Sequence, residues 1–354
     1  MYTALGGSNT CGHGSEPPRK MLFRELIYSA LRGQGLVDSL KVSCIPAAPP
    51  TMAAACLSQF APAPTSFATV EYTPNMHDQP SLGLSHLREM LLSLSRRHVR
   101  VVVINLVPPT GRYPSLGARV AALAAELRLP SLTLLHSNAS WQPDLRHINR
   151  VGHAAVASRA LRLFLAPPAL PPSSPPSPPS SPAPLPLCAV GAELRPLILH
   201  SSGWRLADEP TRADASKAGL LAEAAGASLT LCLRGVPPHA AFTAAFLLER
   251  SSVRPMSNVS FSCDGCACPP TPYTTGGETI GSHLFVGARR GGGGGHAWVH
   301  RLVGRAGPRE CCAVALRSGE GRAKLSGVVF GADASVGGWA NSYFLSRAQL
   351  IRRA

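Results

Sequence analysis

The stretch Val99-Arg100-Val101-Val102-Val103-Ile104-Asn105-Leu106-Val107 decides the fold of the first half of the chain. It is an almost uninterrupted apolar run rich in β-branched residues, and it lacks the polar alternation of a strand that has one face in water. Strands of parallel sheets covered by helices on both faces have this pattern. The stretch therefore predicts a parallel strand that is buried on both sides.

Strand-like and helix-like segments alternate on either side of this run. The other predicted strands cover residues 2–5, 41–45, 67–72 and 131–135, and helices are expected at about 19–32, 81–97, 116–127 and 149–165. Five strands that alternate with helices predict an α/β fold with a doubly wound five-stranded parallel sheet. Functional sites in such sheets lie at the carboxyl ends of the strands.

A proline-rich segment divides the chain. Residues 167–186 read PPALPPSSPPSPPSSPAPLP. Proline lacks the backbone N–H, so this segment favours an extended polyproline II conformation over a helix or a sheet. We therefore expect a first domain at 1–166, a linker at 167–186 and a second domain at 187–354.

The second domain is predicted to be β-rich. Short strand candidates lie at 194–200, 228–233, 241–248, 258–262, 284–287, 312–317 and 325–330, and turn residues separate them. This spacing is typical of a β-sandwich. Trp204, Tyr273 and Trp298 could form a platform for stacking sugars, although a buried core role is commoner for such residues.

The chain is basic but sparsely charged. It has 34 Lys+Arg against 19 Asp+Glu, a net charge of +15, yet charged residues make up only 15% of the 354 residues. The excess is almost all Arg and is spread over both halves, so it indicates coding bias and an incidental affinity for anionic surfaces such as acidic polysaccharides. No nucleic-acid motif is present, and no apolar run is long enough to span a membrane.

The cysteines favour disulfides over a metal site. Of the 10 Cys, three form the cluster Cys263-Asp-Gly-Cys266-Ala-Cys268, and Cys311 and Cys312 follow it. A CxxC pair can hold zinc, but no second CxxC or pair of His with suitable spacing follows. Seven Cys crowd the β-rich half, a distribution that favours disulfides.

The compartment is expected to be secretory or extracellular, as in a glycoprotein. Asn138 and Asn258 begin N-glycosylation sequons, which agrees with a disulfide-bonded chain. The N-terminus has no charged segment followed by an apolar one, as a signal peptide would. Because the first predicted strand begins next to Met1, we expect that strand to be clipped.

Polar residues follow three of the predicted strands of the first domain: the first, the third and the last. Ser8 follows two glycines at the end of the first strand, where a tight turn can present its hydroxyl. Asn75 follows the third strand, and its amide can donate to a developing oxyanion. Asp144 precedes His147 by three residues, so its carboxylate can orient the imidazole toward a nucleophile. The plainer alternatives are a turn or N-cap serine, a turn asparagine, and a helix-capping aspartate beside a surface histidine.

Taken together, these residues resemble the SGNH (GDSL-type) hydrolases. In that family the first block holds the nucleophilic Ser, matched by Ser8, and a later block holds an oxyanion Asn, matched by Asn75. The final Asp-x-x-His block is matched by Asp144 and His147, with Ile148 where Pro is usual. The resemblance covers about residues 2–166 and implies a flavodoxin-like fold. The second domain resembles the C-terminal β-rich domain of algal and plant members.

Two departures from the family pattern concern the nucleophile and the oxyanion hole. Gly7 replaces the Asp that usually precedes the Ser. The glycine of the second block, whose N–H joins the oxyanion hole, has no clear counterpart. The main-chain N–H of Cys44 or Ala47 can replace it, but prolines cannot. We therefore expect an oxyanion hole formed by Ser8, Asn75 and Cys44.

The resemblance implies a serine ester hydrolase with a Ser8–His147–Asp144 triad and an acyl-enzyme intermediate. The expected substrate is a small-molecule or carbohydrate ester, such as an O-acetylated sugar, and no metal or cofactor is needed. Two alternatives stay open. A sugar hydroxyl in place of water would make the chain an O-acyltransferase, and loss of the second block would leave a catalytically degenerate SGNH-fold binding protein.

Overall fold

The computed structural model describes residues 1–12, 21–45, 49–76, 80–108, 113–135, 140–141, 146–166, 187–208, 218–235, 238–249, 259–267, 283–284, 297–306, 311–319 and 322–332. These residues belong to two compact units, one with the elements up to residue 166 and one with the elements from Leu187 onward. The predicted linker at 167–186 lies outside the described residues, and the exact domain limits stay a prediction.

The first unit contains a five-stranded parallel sheet with the strand order β2-β1-β3-β4-β5. Its strands are β1 (Tyr2–Gly6), β2 (Leu40–Cys44), β3 (Phe67–Glu71), β4 (Arg100–Val107) and β5 (Ser131–Leu135). Gly6 pairs with both Cys44 and Glu71, so the carboxyl ends of the three strands lie level. The predicted doubly wound parallel sheet is confirmed.

Helices connect and cover these strands. They are α1 (Ser8–Cys11), α2 (Phe23–Gly33), α3 (Thr51–Ala55), α4 (Leu57–Phe60), α5 (Pro80–Arg96), α6 (Tyr113–Glu126) and α7 (Arg150–Leu165), with a 3-10 turn at Thr73–Asn75. Helix α2 packs against α7, and α5 packs against α6. The short helices α1, α3 and α4 were not predicted, because four or five residues are too few to show a helical period.

Strand β4 has the predicted burial on both faces. Every residue from Val101 to Val107 is buried. Val102, Ile104 and Leu106 share a core cluster with side chains of α2 and α7. Because successive side chains of a strand point to opposite faces, the residues between them face the other helical layer.

The second unit is a sandwich of two antiparallel sheets. Its strands are β6 (Leu187–Val190), β7 (Ile198–Ser202), β8 (Trp204–Asp208), β9 (Ala218–Ala222), β10 (Ser228–Arg234), β11 (Ala241–Glu249), β12 (Val259–Asp264), β13 (Cys266–Ala267), β14 (His283–Leu284), β15 (Ala297–Ala306), β16 (Cys311–Ser318) and β17 (Ala323–Ala332). One sheet has the order β12-β16-β10-β7, and the other has the order β13-β15-β11-β17-β9-β8 with β14 and β6 attached. Leu229 and Leu231 of the first sheet share a core with Phe246 and Val328 of the second. The β-sandwich-like domain is confirmed.

In the second unit one predicted strand is shorter than expected, and Trp204 has the buried core role that is commoner for such residues. The strand predicted at 194–200 begins only at Ile198, because Gly191–Leu197 forms a 3-10 helix. Pro196 in this helix has no N–H to give to a sheet. Trp204 is 6% exposed and belongs to the core cluster, so its role is the core role. Tyr273 lies outside the described residues.

The cysteines form disulfides, as expected. Cys11 is bonded to Cys44, Cys232 to Cys311, and Cys266 to Cys312. No described cysteine is free. The sulfur of Cys263 lies within 4.8 Å of the sulfurs of Cys266 and Cys312. A disulfide offers no thiolate to a metal, so this cluster favours the disulfide interpretation over zinc.

Among the helices in the described part of the chain, none is both long and apolar enough to cross a membrane.

Replacing Gly117 with Ala tests the contact between α6 and β4. A Cβ at Gly117 would lie 2.5 Å from Cγ2 of Val107, a stiff β-branched side chain. We expect Gly117→Ala to lower the free energy of unfolding by about 1–3 kcal/mol, measured by urea denaturation. The control is Gly33→Ala at the end of α2, where a Cβ meets nothing within 4 Å. Equal midpoints for the two variants would contradict this packing.

Candidate active site

Ser8 begins α1 directly after β1, on a turn that requires two glycines. A Cβ at Gly6 would lie 2.0 Å from Oγ1 of Thr10 and 2.6 Å from the carbonyl oxygen of Glu71. The N–H of Gly7 donates to that same carbonyl oxygen, at 3.1 Å. The chain therefore turns sharply against β3, and the turn leaves Ser8 half-buried at the carboxyl edge of the sheet.

His147 lies against Ser8, although 139 positions separate the two residues. The distance from Nε2 of His147 to Oγ of Ser8 is 3.0 Å, and both side chains are half-buried. When Nε2 carries no proton, the Ser8 hydroxyl donates to it, which is the geometry in which a histidine acts as the base for a serine nucleophile.

The segment that carries His147 is held by hydrogen bonds on the C-terminal side of His147. Trp141 and Ile148 form an antiparallel bridge, and the N–H of Asn149 donates to the carbonyl of Ser140 at 3.0 Å. Asn149 also caps α7, since its Oδ1 accepts from the N–H of Gly152 at 3.0 Å. His147 thus precedes a helix whose start is fixed.

Asn75 lies on the other side of the Ser8 turn. It ends the 3-10 turn after β3, and its Oδ1 lies only 2.1 Å from where a Cβ of Gly7 would be. This oxygen is buried and accepts no hydrogen bond from the described residues. Nδ2 of Asn75 would lie 2.9 Å from the same Cβ, so the whole amide packs on Gly7. Gly7 thus makes room for Asn75 where the usual Asp would place a side chain.

Cys44 lies beside the same turn, at the end of β2. Its disulfide to Cys11 joins β2 to the last residue of α1. Its neighbour Ile45 donates its N–H to the carbonyl of Gly6 at 3.1 Å. The part of Cys44 in an oxyanion hole stays a prediction, and Ala47, the other candidate donor, lies outside the described residues.

Asp144, the predicted third member of the triad, also lies outside the described residues. The described geometry therefore brings together Ser8, His147 and Asn75, while the role of Asp144 stays a prediction from the sequence.

Two buried polar residues at this site were not singled out in the sequence. Asn9 is 1% exposed, its Nδ2 donates to the carbonyl of Arg146 at 3.2 Å, and its Oδ1 accepts from the N–H of Ile148 at 2.9 Å. Glu71 has no exposed surface at the end of β3. A charged residue at the end of an apolar strand was the signal that could have revealed Glu71. The position of Asn9 next to Ser8 was the only signal for Asn9.

Glu71 supports α1 from within the sheet. Its Oε2 accepts from the hydroxyl of Thr10 at 3.0 Å and from the N–H of Thr10 at 3.3 Å, whereas Oε1 is buried and has no partner among the described residues. Burial raises the pKa of Glu71 to about 8, and the hydrogen bonds from Thr10 oppose this rise. The carboxyl group is therefore mainly neutral at pH 7.

His153, six residues after His147 and within α7, belongs to the core. Its ring stacks on Phe23 with centroids 5.6 Å apart, and its Nδ1 accepts from the N–H of Phe23 at 3.3 Å. Burial lowers the pKa of His153 to about 3, helped by the nearby charges of Arg24 and His147. It stays neutral and joins α7 to the start of α2.

Comparison with known proteins identifies the fold. No protein-family model and no curated protein matches the chain. A solved two-domain esterase (CEX) active on acetylated mannans matches with a TM-score of 0.59 at 18% identity, covering 94% of this chain and 91% of the esterase chain. A second structure of a two-domain esterase (CEX), co-crystallized with mannopentaose, gives 0.56 at 16% identity with the same coverage. The chain therefore has the fold of a two-domain esterase, as the resemblance implied.

Replacing Glu71 with Gln tests its neutral burial. The pKa of Glu71 rises from 4.5 to about 8 on folding, so the folded chain holds a proton that the unfolded chain has lost between these two pH values. In this window the stability falls as the pH rises, by up to about 1.4 kcal/mol per pH unit. We expect the free energy of unfolding of the wild type, relative to that of Glu71→Gln, to decrease at this rate as the pH rises.

Urea denaturation at pH 5, 6, 7 and 8 measures that difference. His153, whose depressed pKa acts in the opposite sense below pH 6.5, is present in both proteins and cancels. A difference that is constant over this range would show that Glu71 is ionised in the folded chain.

Proposed function

We propose that this chain is a serine ester hydrolase of the SGNH type, with Ser8 as the nucleophile and His147 as its general base. The observation that carries the proposal is the 3.0 Å contact between Nε2 of His147 and Oγ of Ser8. It occurs at the carboxyl edge of a parallel sheet, in a fold that a solved esterase shares over 94% of the chain. Asp144, three positions before His147, is the proposed partner of its Nδ1–H.

The first step forms an acyl-enzyme. Oγ of Ser8 attacks the ester carbonyl carbon as its proton passes to Nε2 of His147. The carbonyl oxygen becomes an oxyanion, and His147 then gives the proton to the departing alcohol oxygen. The C–O bond to the alcohol breaks and leaves the acyl group on Ser8.

Hydrogen-bond donors beside Ser8 stabilise the oxyanion. The proposed donors are the main-chain N–H of Ser8, Nδ2 of Asn75 and the main-chain N–H of Cys44. Asn75 is supported most directly, because its amide packs on Gly7, the residue that precedes Ser8. One such donor is worth roughly 10²–10³ in rate.

Water completes the cycle. His147 takes a proton from a water molecule, which attacks the acyl carbon, and then returns that proton to Oγ of Ser8 as the acid leaves. A sugar hydroxyl in place of water would transfer the acyl group instead, so the products separate hydrolysis from the acyltransferase alternative.

The proposed substrate is an O-acetylated polysaccharide or oligosaccharide. This choice is supported by the matching esterase, which is described as active on acetylated mannans and which shares both units of the fold. The alternative of a degenerate binding protein is disfavoured by the contact between Ser8 and His147, because a protein that only binds needs no base at hydrogen-bonding distance from a serine.

Labelling with a fluorophosphonate probe tests the nucleophile. Attack by an activated serine on phosphorus displaces fluoride and leaves the probe bound. We expect the folded wild type to be labelled at Ser8, and Ser8→Ala and His147→Ala to be labelled at least 10³-fold more slowly. An unlabelled wild type, or equal labelling of Ser8→Ala, would refute the proposal.

Release of acetate from acetylated mannan tests the substrate with the same proteins. Wild type is expected to release acetate, and Ser8→Ala is not. If the acetyl group passes to an added mannooligosaccharide instead of water, the protein is an acyltransferase. If a simple aryl acetate is cleaved but acetylated mannan is not, the result supports a serine hydrolase and refutes the proposed carbohydrate substrate.

Replacing Gly7 with Ala tests the position of Asn75. The added methyl group would overlap Oδ1 of Asn75, so the amide must move away from the Ser8 turn. We expect kcat to fall by roughly 10²–10³ with a smaller change in KM, as for loss of an oxyanion donor. Gly33→Ala is the control. A Gly7→Ala variant with wild-type kcat would exclude Asn75 from the oxyanion hole.

A further inference from the structure

We propose that Asn9 is a positioning residue that fixes His147 against Ser8. The inference rests on the proposed hydrolase, and it adds a residue that touches neither the substrate nor the reacting atoms. Asn9 follows Ser8 in α1 and is almost fully buried. Its side chain spans the contact between two segments that carry the nucleophile and the base.

The two hydrogen bonds of Asn9 reach the two peptide groups that flank His147. Nδ2 donates to the carbonyl of Arg146, the residue before, and Oδ1 accepts from the N–H of Ile148, the residue after. One planar amide therefore fixes the main chain on both sides of His147. The reverse placement of Oδ1 and Nδ2 would set donor against donor and acceptor against acceptor, so the contacts themselves define the orientation.

These bonds make a short path between the reacting groups. Ser8 and Asn9 are adjacent in the chain, and Arg146 and Ile148 are the immediate neighbours of His147. Ser8 is thus linked to His147 through the peptide bond to Asn9, the side-chain amide of Asn9, and the peptide bonds on either side of His147. This short link sets the 3.0 Å distance from Nε2 to Oγ. On its C-terminal side the same segment is held by the bridge from Ile148 to Trp141. Asn9 holds this segment on the side that faces Ser8.

The chemistry of the side chain suits this role. Asp would keep the acceptor for Ile148 but would place an oxygen against the carbonyl of Arg146, and Ser is too short to reach both groups. An amide has one donor and one acceptor in one plane, as the two peptide groups require. Because the amide is buried, each bond lost leaves a buried peptide group unpaired.

The test compares Asn9→Ala and Asn9→Asp with wild type in ester hydrolysis and fluorophosphonate labelling. A displacement of His147 by about 1 Å costs on the order of 10² in rate while substrate contacts stay. We expect kcat and the labelling rate to fall by about 30- to 300-fold in both variants, with KM changed less than threefold. Thr3→Val, which removes a buried hydrogen bond to Thr65 at the opposite end of β1, is the control for lost stability. It should keep the wild-type kcat.

A double-mutant cycle separates positioning from a general structural role. If Asn9 acts through His147, adding Asn9→Ala to His147→Ala should lower the residual rate less than twofold. A full 30- to 300-fold further loss in that background, or wild-type kcat in Asn9→Asp, would overturn the inference. Should Asn9→Ala fail to fold, the near-isosteric Asn9→Asp carries the same comparison. Loss of activity in wild type itself would refute the hydrolase and the inference together, whereas an active wild type with unaffected Asn9 variants would refute only the positioning role.

Discussion

The close approach of three chain segments at the end of β1 is the constraint on which the site depends. At Gly6 and Gly7 there is room for a hydrogen atom and nothing larger, because Thr10, the main chain of Glu71 and the amide of Asn75 fill the space. Any side chain there would separate the serine turn from the 3-10 turn that follows β3. The two glycines therefore allow the polar residues that follow β1 and β3 to lie close together.

A second constraint is the stability of α1. A helix of four residues does not persist alone, since nucleation is unfavourable and few hydrogen bonds offset it. Here Thr10 is held from both sides: its N–H and hydroxyl donate to Glu71, and its carbonyl accepts from the guanidinium of Arg24. The disulfide of Cys11 closes the helix onto β2. Tertiary contacts, and not helix propensity, hold the serine in place.

The sequence predicted those features that depend on pattern. The apolar run of β4 and the alternation around it were enough for the whole parallel sheet, and the spacing of Asp144 and His147 pointed to the second segment of the site. The Ser8 turn was visible from its glycines. The short helices α3 and α4 have no period, and the 3-10 helix before β7 interrupts a run that looks like a strand.

Residues whose role depends on distant partners were not predictable in this way. Asn9 looks like any polar residue in a turn until its contacts with Arg146 and Ile148, more than 130 positions away, are known. In the sequence Glu71 is only a charged residue at the end of an apolar strand. Its role becomes clear from the hydrogen bond that it accepts from the hydroxyl of Thr10. No local pattern encodes which main-chain groups such side chains meet, because the sheet order brings them together.

The 139 positions between Ser8 and His147 have a consequence for the order of assembly. During synthesis Ser8 leaves the ribosome long before His147, and a chain that has made β1, β3 and β4 still lacks the histidine that lies against Ser8 in the folded unit. Contacts of such high sequence separation form late, because closing the long loop costs entropy before any contact compensates for it. The first unit therefore completes its candidate active site only once the segment of His147 has docked, and an unfinished chain lacks the proposed pair of serine and histidine.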